Sequence, residues 1–336
     1  MSAQNKNVIC VTSCDSYLGY AITQVLLQDK KQNQRAYTVR ALARDISGLN
    51  GLKKHGAEVA QIDYNNQGTI EQALNGGIWV LMLPESDNDR CNYAKIFANT
   101  CKKVGVGNML FLSLLGADDA DEKSLREFRD MEKKVEAAVD RNCILRCAFV
   151  VQCLHYFSEY IMKKNKLGLP IRSDSRMSPI HLNDVFCVIH RIIFDKQGQL
   201  HREMDRNHQK RHYTLTGPEA ISANTFVDMM NIIIDANVKF EEIKRQECEA
   251  YLRSCNQPEI ESTKSDQHEE SRDDLFPTPK QCLNDNEIMT ACDIFDYIKS
   301  GKANYVSGDV QKVTDREPIP VIWFFKNHRE EFKPRK

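Results

Sequence analysis

The chain has 336 residues, of which 28% are charged and 41% hydrophobic, and a formal net charge of −1. That length can bury a large core. The balance of charge leaves no basic surface for nucleic acid and no acidic solvating tail, and no run of about 18 uncharged apolar residues is present to span a membrane.

The polar start Met1–Asn7 leads straight into a strand-like run, so a secretory signal is not expected and the cytoplasm or nucleus is. The twelve cysteines fit that setting. Cys10, Cys143, Cys147 and Cys187 lie inside apolar runs, where a reduced thiol acts as a small hydrophobe. No Cys-x-x-Cys pair occurs, so a zinc ribbon or a thioredoxin-like site has no support.

In chain order, strand-like and helix-like patterns alternate over residues 1–155, as parallel βαβ construction requires. Strands are expected at Asn7–Thr12, Tyr37–Ala43, Glu58–Gln61, Trp79–Leu83, Met109–Leu114 and Ile144–Phe149, and helices at 17–30, 68–75, 87–104 and 122–141. The strands are almost wholly apolar, the pattern of a sheet covered on both faces. Gly105 and Gly107 end the fourth helix.

Residues 156–336 read as a smaller mixed α/β region packed on the first. A helical stretch over 155–166 ends at Gly168-Leu-Pro170. A second helix starts near Asn183 or Asp184, and 197–211 is a polar loop. A strand at Tyr213–Thr216 leads to a helix over 222–235, for which Ser222–Thr225 supply the polar start. Residues 256–281 are charged and almost without aliphatics, the composition of a mobile loop. A last helix covers 286–299.

The first turn, Val8-Ile-Cys-Val-Thr-Ser-Cys-Asp-Ser-Tyr-Leu-Gly19, runs from an apolar strand into an amphipathic segment. That is the layout of a dinucleotide-binding βα unit, in which pyrophosphate sits on the helix N-terminus. The spacing expected is Gly-x-x-Gly-x-x-Gly, and here it reads Ser13-x-x-Ser16-x-x-Gly19. Gly19, the position where helix packs on strand, is kept. Serine at a position needing positive φ costs about 1 kcal/mol, but its hydroxyl can donate to phosphate. The competing reading is a turn that only caps its helix through Ser13, Asp15 or Ser16. Asp15 is a poor neighbour for a phosphate because its charge repels it.

The order of elements and five landmarks resemble the NmrA-like group of atypical short-chain dehydrogenase/reductases. They are the Thr12–Gly19 turn; Val39-Arg-Ala-Leu-Ala-Arg-Asp45; Gly56-Ala-Glu-Val-Ala-Gln-Ile-Asp63 with Thr69–Leu74; Ile144-Leu-Arg-Cys-Ala-Phe149; and Gly301–Pro318. The resemblance implies a Rossmann-type doubly wound parallel sheet with a smaller C-terminal region and NADP(H) as cofactor; no metal is expected from the cysteine and histidine spacing. The residues expected at a dinucleotide are Thr12, Ser13, Asp15, Ser16, Tyr17, Leu18 and Gly19, then Arg44, Ile62, Asp63, Leu83 and Pro84. Arg44 ends the second strand, where an arginine pairs a 2′-phosphate. Arg40 shares its face but lies farther from the strand end.

The chain also departs from the family. No tyrosine occurs between Tyr93 and Tyr156, so the reductase Tyr-x-x-x-Lys pair is missing. Many NmrA-like proteins carry a lysine three residues before a Val-Glu pair; here that position is Glu132. Lys133 is one residue on, which turns it by about 100° on a helix. Ser113, at the end of the fifth strand, and Lys133 are the weak catalytic candidates. Cys147 and Cys153 stand where the family tends to have proline and asparagine, and Cys153 is a redox thiol only if exposed and acidified. His155, His181 and His190 show no metal-ligand spacing and read as caps, surface or core. Two expectations follow: a non-catalytic cofactor-sensing regulator, whose relatives take partners such as transcription factors, or an NADP-dependent reductase of a small molecule.

Overall fold

The computed structural model describes residues 7–255, 276–279 and 283–335. Most of the loop expected over 256–281 therefore lies outside the described residues.

The first half alternates as its sequence pattern requires: β1 (Val8–Val11), α1 (Tyr17–Gln32), β2 (Thr38–Ala43), α2 (Asn50–Lys54), β3 (Glu58–Gln61), α3 (Gln67–Leu74), β4 (Gly77–Met82), α4 (Arg90–Val104), β5 (Asn108–Leu114), α5 (Lys123–Ala138) and β6 (Arg141–Cys147). Each is within a few residues of its expected place except α2, a short helix for which the sequence pattern gave no expectation. Gly105, at φ +82°, closes α4 in the left-handed conformation that a side chain disfavours.

After β6 a 3-10 turn (Val151–Phe157) leads into α6 (Ser158–Lys164), β7 (Lys166–Leu169), β8 (Arg176–Met177) and α7 (Leu182–Ile193). Next come β9 (Arg211–Leu215), β10 (Ile221–Ser222), α8 (Ala223–Ile234), β11 (Lys239–Glu242) and α9 (Arg245–Ser254). The chain ends in α10 (Asp285–Lys299), α11 (Asp309–Thr314), α12 (Val321–Asn327) and α13 (Arg329–Phe332). Ser222 caps α8, its Oγ accepting from the Thr225 amide at 3.1 Å.

Seven strands form one sheet in the order β3-β2-β1-β4-β5-β6-β9. Every pair in it is parallel. The seventh strand comes from beyond residue 155 and pairs with β6 from Cys143↔Arg211 to Cys147↔Leu215. Alternation divides the strand side chains between two cores. Ile9, Val11, Trp79, Leu81, Leu110 and Leu112 face the layer of α1 and α7. Val8, Cys10, Val80, Met82, Met109 and Phe111 face that of α3, α4 and α5. A third core holds the C-terminal region, with Phe226, Phe295, Phe324, Phe325 and Phe332 at its centre.

Candidate functional site

The strand order reverses between β1 and β4, so the loops at the C-terminal ends of β1 to β4 open a crevice at the topological switch point. A cleft of about 840 Å³ lies there, lined by Ser13, Asp15 and Ser16 after β1, Arg44, Asp45, Ser47, Gly48 and Leu49 after β2, Gln61, Ile62 and Asp63 after β3, and Glu85, Ser86 and Asp87 after β4. Asn284, Asn286 and Glu287 complete it from the start of α10. The Asn284 side-chain amide donates to the Ser86 carbonyl at 3.2 Å and fixes that helix end on the rim.

The two serines of the turn play different parts. Ser13 has φ +51°, the left-handed value a glycine would adopt freely. Its hydroxyl donates to the Leu83 carbonyl at 3.0 Å. Ser16 has φ −94° and needs no glycine; it caps α1, its Oγ accepting from the Gly19 amide at 3.3 Å and donating to the Ser13 carbonyl at 2.7 Å. Gly19 is obligatory, since a Cβ there would lie 2.1 Å from the Ser13 carbonyl oxygen. Thr12 ties β1 to β4: its Oγ1 donates to the Leu83 carbonyl at 2.8 Å and accepts from the Leu83 amide at 2.9 Å.

Of the residues expected at a dinucleotide, Ser13, Asp15, Ser16, Arg44, Ile62 and Asp63 meet at this cleft. Thr12, Gly19 and Leu83 are buried behind it, and Leu18 packs on the α1-side core. Tyr17 is buried with 5% of its surface accessible. Pro84 is half-buried beside them. Arg44 forms an ion pair with Asp87 at 2.7 Å and lies over the Tyr93 ring at 5.4 Å. Arg40 is turned elsewhere, donating to Glu58 at 2.9 Å. Asp63 shapes its turn, its Oδ1 accepting from the Asn65 amide at 2.9 Å, and lines the cleft as well.

The cleft is acidic. Glu85 is 7% exposed and receives the Tyr64 hydroxyl at 3.0 Å. Burial first, and then the charge of Asp15, pushes its carboxyl up to about 7. Burial likewise raises Asp15, whose Oδ2 accepts from the Asp45 amide at 3.1 Å, and Glu287. Asp87 is the opposite case, held below its ordinary value by the Asp89 amide and by Arg44. The volume, the N-terminal end of α1 and Arg44 suit a dinucleotide. Asp15 and Glu85 oppose its phosphates unless they are protonated.

Ser113 and Lys133 are not brought together. Lys133 is exposed on α5. Ser113 Oγ donates to Glu132 Oε1 at 2.5 Å, and Glu132 in turn accepts from Arg146 at 3.0 Å on Oε1 and 2.7 Å on Oε2. Arg146 also pairs with Asp118. Glu132 is 2% exposed, so the position of the family's lysine holds a buried carboxylate locked to a guanidinium. Burial pushes the thiols of Cys147 and Cys153 up to about 12, which leaves neither as a reactive thiolate. His181 is the cap of α7, its Nδ1 accepting from the Asn183 amide at 3.1 Å.

Sequence reading missed Glu85, Asp87 and the α10 residues of the cleft. Nothing local marks Glu85 as buried, since its partner Tyr64 lies on another loop. Asn284-Asp-Asn-Glu287 does carry a capping-box pattern, which signals a helix start but not its place on the cleft.

Comparison with known proteins agrees with this architecture. The chain is 20% identical over 221 residues to the NAD(P)H azoreductase of Xenophilus azovorans, a match covering 66% of this chain and 73% of that protein. Among solved structures it resembles the triphenylmethane reductase of Citrobacter sp. in complex with NADP(H), with a TM-score of 0.71 and 15% identity over 95% of this chain and 99% of that one. The NADPH-dependent quinone oxidoreductase of Escherichia coli in complex with NADPH is similar at a TM-score of 0.70 and 16% identity, again over 95% and 99%. The model of the NmrA-like family matches residues 5–247, and the chain belongs to that family.

Proposed function

We propose that the switch-point cleft binds NADP(H), that binding is linked to proton uptake by Glu85, and that the chain is a cofactor-binding member of its family without efficient turnover. The observation that carries the reading is the convergence of the α1 turn, Arg44 and Asp63 on one cleft. Arg44 would hold a 2′-phosphate in exchange for Asp87, the start of α1 would receive the pyrophosphate, and Ile62 and Asp63 would border the adenine. When bound, the nicotinamide supplies hydride chemistry. For proton delivery the chain offers Ser113, whose hydroxyl is already committed to the Glu132–Arg146 pair.

Phosphates placed beside Glu85 favour its neutral form, so affinity falls as the pH rises through about 7. A second reading, an NADP-dependent reductase, is favoured by the activities named for the azoreductase, the quinone oxidoreductase and the triphenylmethane reductase. Titration of the purified protein with NADPH and NADH, followed by nicotinamide fluorescence, tests the binding. NADPH should bind more tightly than NADH, and Arg44→Glu should abolish the difference. Absence of binding at millimolar cofactor sinks both readings. Rapid turnover of quinone, azo or carbonyl substrates decides for the reductase.

A further inference from the structure

Away from the cleft, His155, His328 and Glu331 meet where the C-terminal helices return to the 3-10 turn after β6. One ligand atom from each of the three lies within 4.8 Å of the other two. His155 Nδ1 is 2.9 Å from Glu331 Oε2, and His328 Nδ1 is 3.3 Å from Glu331 Oε1. Ligand atoms of a tetrahedral zinc ion stand about 3.3 Å apart, given bonds of about 2.0 Å. The two imidazoles are perpendicular, at 83° with centroids 4.5 Å apart, so two rings can point at one centre without stacking.

The surroundings are those of a built site. His155 is 1% exposed and His328 is 8% exposed. Phe324 and Phe332 lie with ring centroids 5.2 Å from that of His155 and form an apolar shell. The backbone fixes the spacing of the other two ligands, the Glu331 amide donating to the His328 carbonyl at 3.1 Å.

Two buried polar atoms lack the hydrogen bonds that such groups almost always make. His155 Nδ1 faces Glu331 Oε2 at 2.9 Å without the alignment of a good hydrogen bond, and His328 Nδ1 shares the same carboxylate at 3.3 Å. The Tyr17 hydroxyl is also unpartnered, and the charge of Glu331 bears on it.

We infer that His155, His328 and Glu331 bind a divalent transition metal, zinc in the first instance, which pins α12–α13 to the turn after β6. Two imidazoles and a carboxylate are a donor set that suits zinc and leaves a fourth position for water. Spacing in the sequence gave no hint of the site, because His155 stands alone and its two partners come from the end of the chain.

Full-length protein stripped by a chelator and titrated with Co²⁺ tests the inference. One equivalent should bind and give the visible absorption of a four-coordinate centre, which Zn²⁺ then bleaches. His328→Ala and Glu331→Gln should each weaken binding at least about a hundredfold, beyond the range found for outer-shell changes. His55→Ala, a change at an exposed histidine, should leave it intact. Zn²⁺ should raise the Tm of the wild type and not that of Glu331→Gln, which keeps the size of the side chain it replaces and whose fold circular dichroism checks. Absence of saturable binding in the micromolar range, or binding unchanged in a folded Glu331→Gln variant, would overturn the site and leave a cluster held by hydrogen bonds alone.

Discussion

Glu85 sets the character of the cleft at the scale of single residues. Its folded carboxyl titrates at about 7 against an ordinary 4.5. The folded state therefore binds the proton more tightly than the unfolded chain. The stability tied to it is complete below the unfolded value and is lost as the pH rises through about 7. The difference corresponds to about 3 kcal/mol at about 1.4 kcal/mol per pH unit. Glu85→Gln keeps an acceptor for the Tyr64 hydroxyl and removes the charge. Thermal unfolding should show it more stable than the wild type at pH 8 and level with it at pH 4; equal Tm values at pH 8 would remove the basis of the assignment.

Gly19 and Ser13 make a second test at this scale. A methyl group at Gly19 meets the Ser13 carbonyl at 2.1 Å, a backbone contact that cannot give way cheaply. Gly19→Ala should cost about 2–4 kcal/mol in chemical denaturation, as overpacking with backbone displacement does. The packing role of Gly19 was legible from its spacing alone. The two serines were not separable in the sequence: only the backbone shows that Ser13 occupies a left-handed position and Ser16 a helix cap.

At the scale of elements, α5 and β6 are joined by the Ser113–Glu132–Arg146 network. Breaking a buried pair costs about 3–5 kcal/mol at most, and without Glu132 the Arg146 guanidinium keeps only the more exposed Asp118 as counter-charge. Glu132→Ala should lose stability of that order, measured by urea denaturation, and Glu132→Lys should lose more because it sets a cation against Arg146. A Glu132→Lys variant as stable as the wild type would contradict the network. The sequence shows that the family's lysine is absent here and that Lys133 faces away. It does not show what replaces it, since Arg146 is fourteen residues on and joins Glu132 only because β6 lies beside β5 in the sheet.

The whole molecule was legible in its first half because each strand is a near-continuous apolar run and each helix an amphipathic one, and these periodicities are local. The seventh strand, Arg211–Leu215, was seen as a strand; its place beside β6 was not, because pairing partners far apart in the chain leave no periodic trace. The same limit hid other long-range contacts. Glu287 reaches the cleft and Glu331 reaches His155 through the packing of the C-terminal helices on the sheet. The place of Arg44 and Asp63 on the cleft was legible because both follow strands at the end where a doubly wound sheet opens its crevice.

In the proposed function the cleft takes up NADP(H) together with a proton. Calorimetric titration with NADP⁺ between pH 6 and pH 8, in buffers of different ionisation enthalpy, measures affinity and proton uptake in one experiment. The Kd should rise as the pH passes about 7, by up to about tenfold per unit, protons should be taken up on binding above that pH, and Glu85→Gln should bind more tightly than the wild type at pH 8 and lose the fall in affinity above pH 7. Binding with no proton uptake and no pH dependence, or no binding at millimolar NADP⁺, would contradict the proposed function.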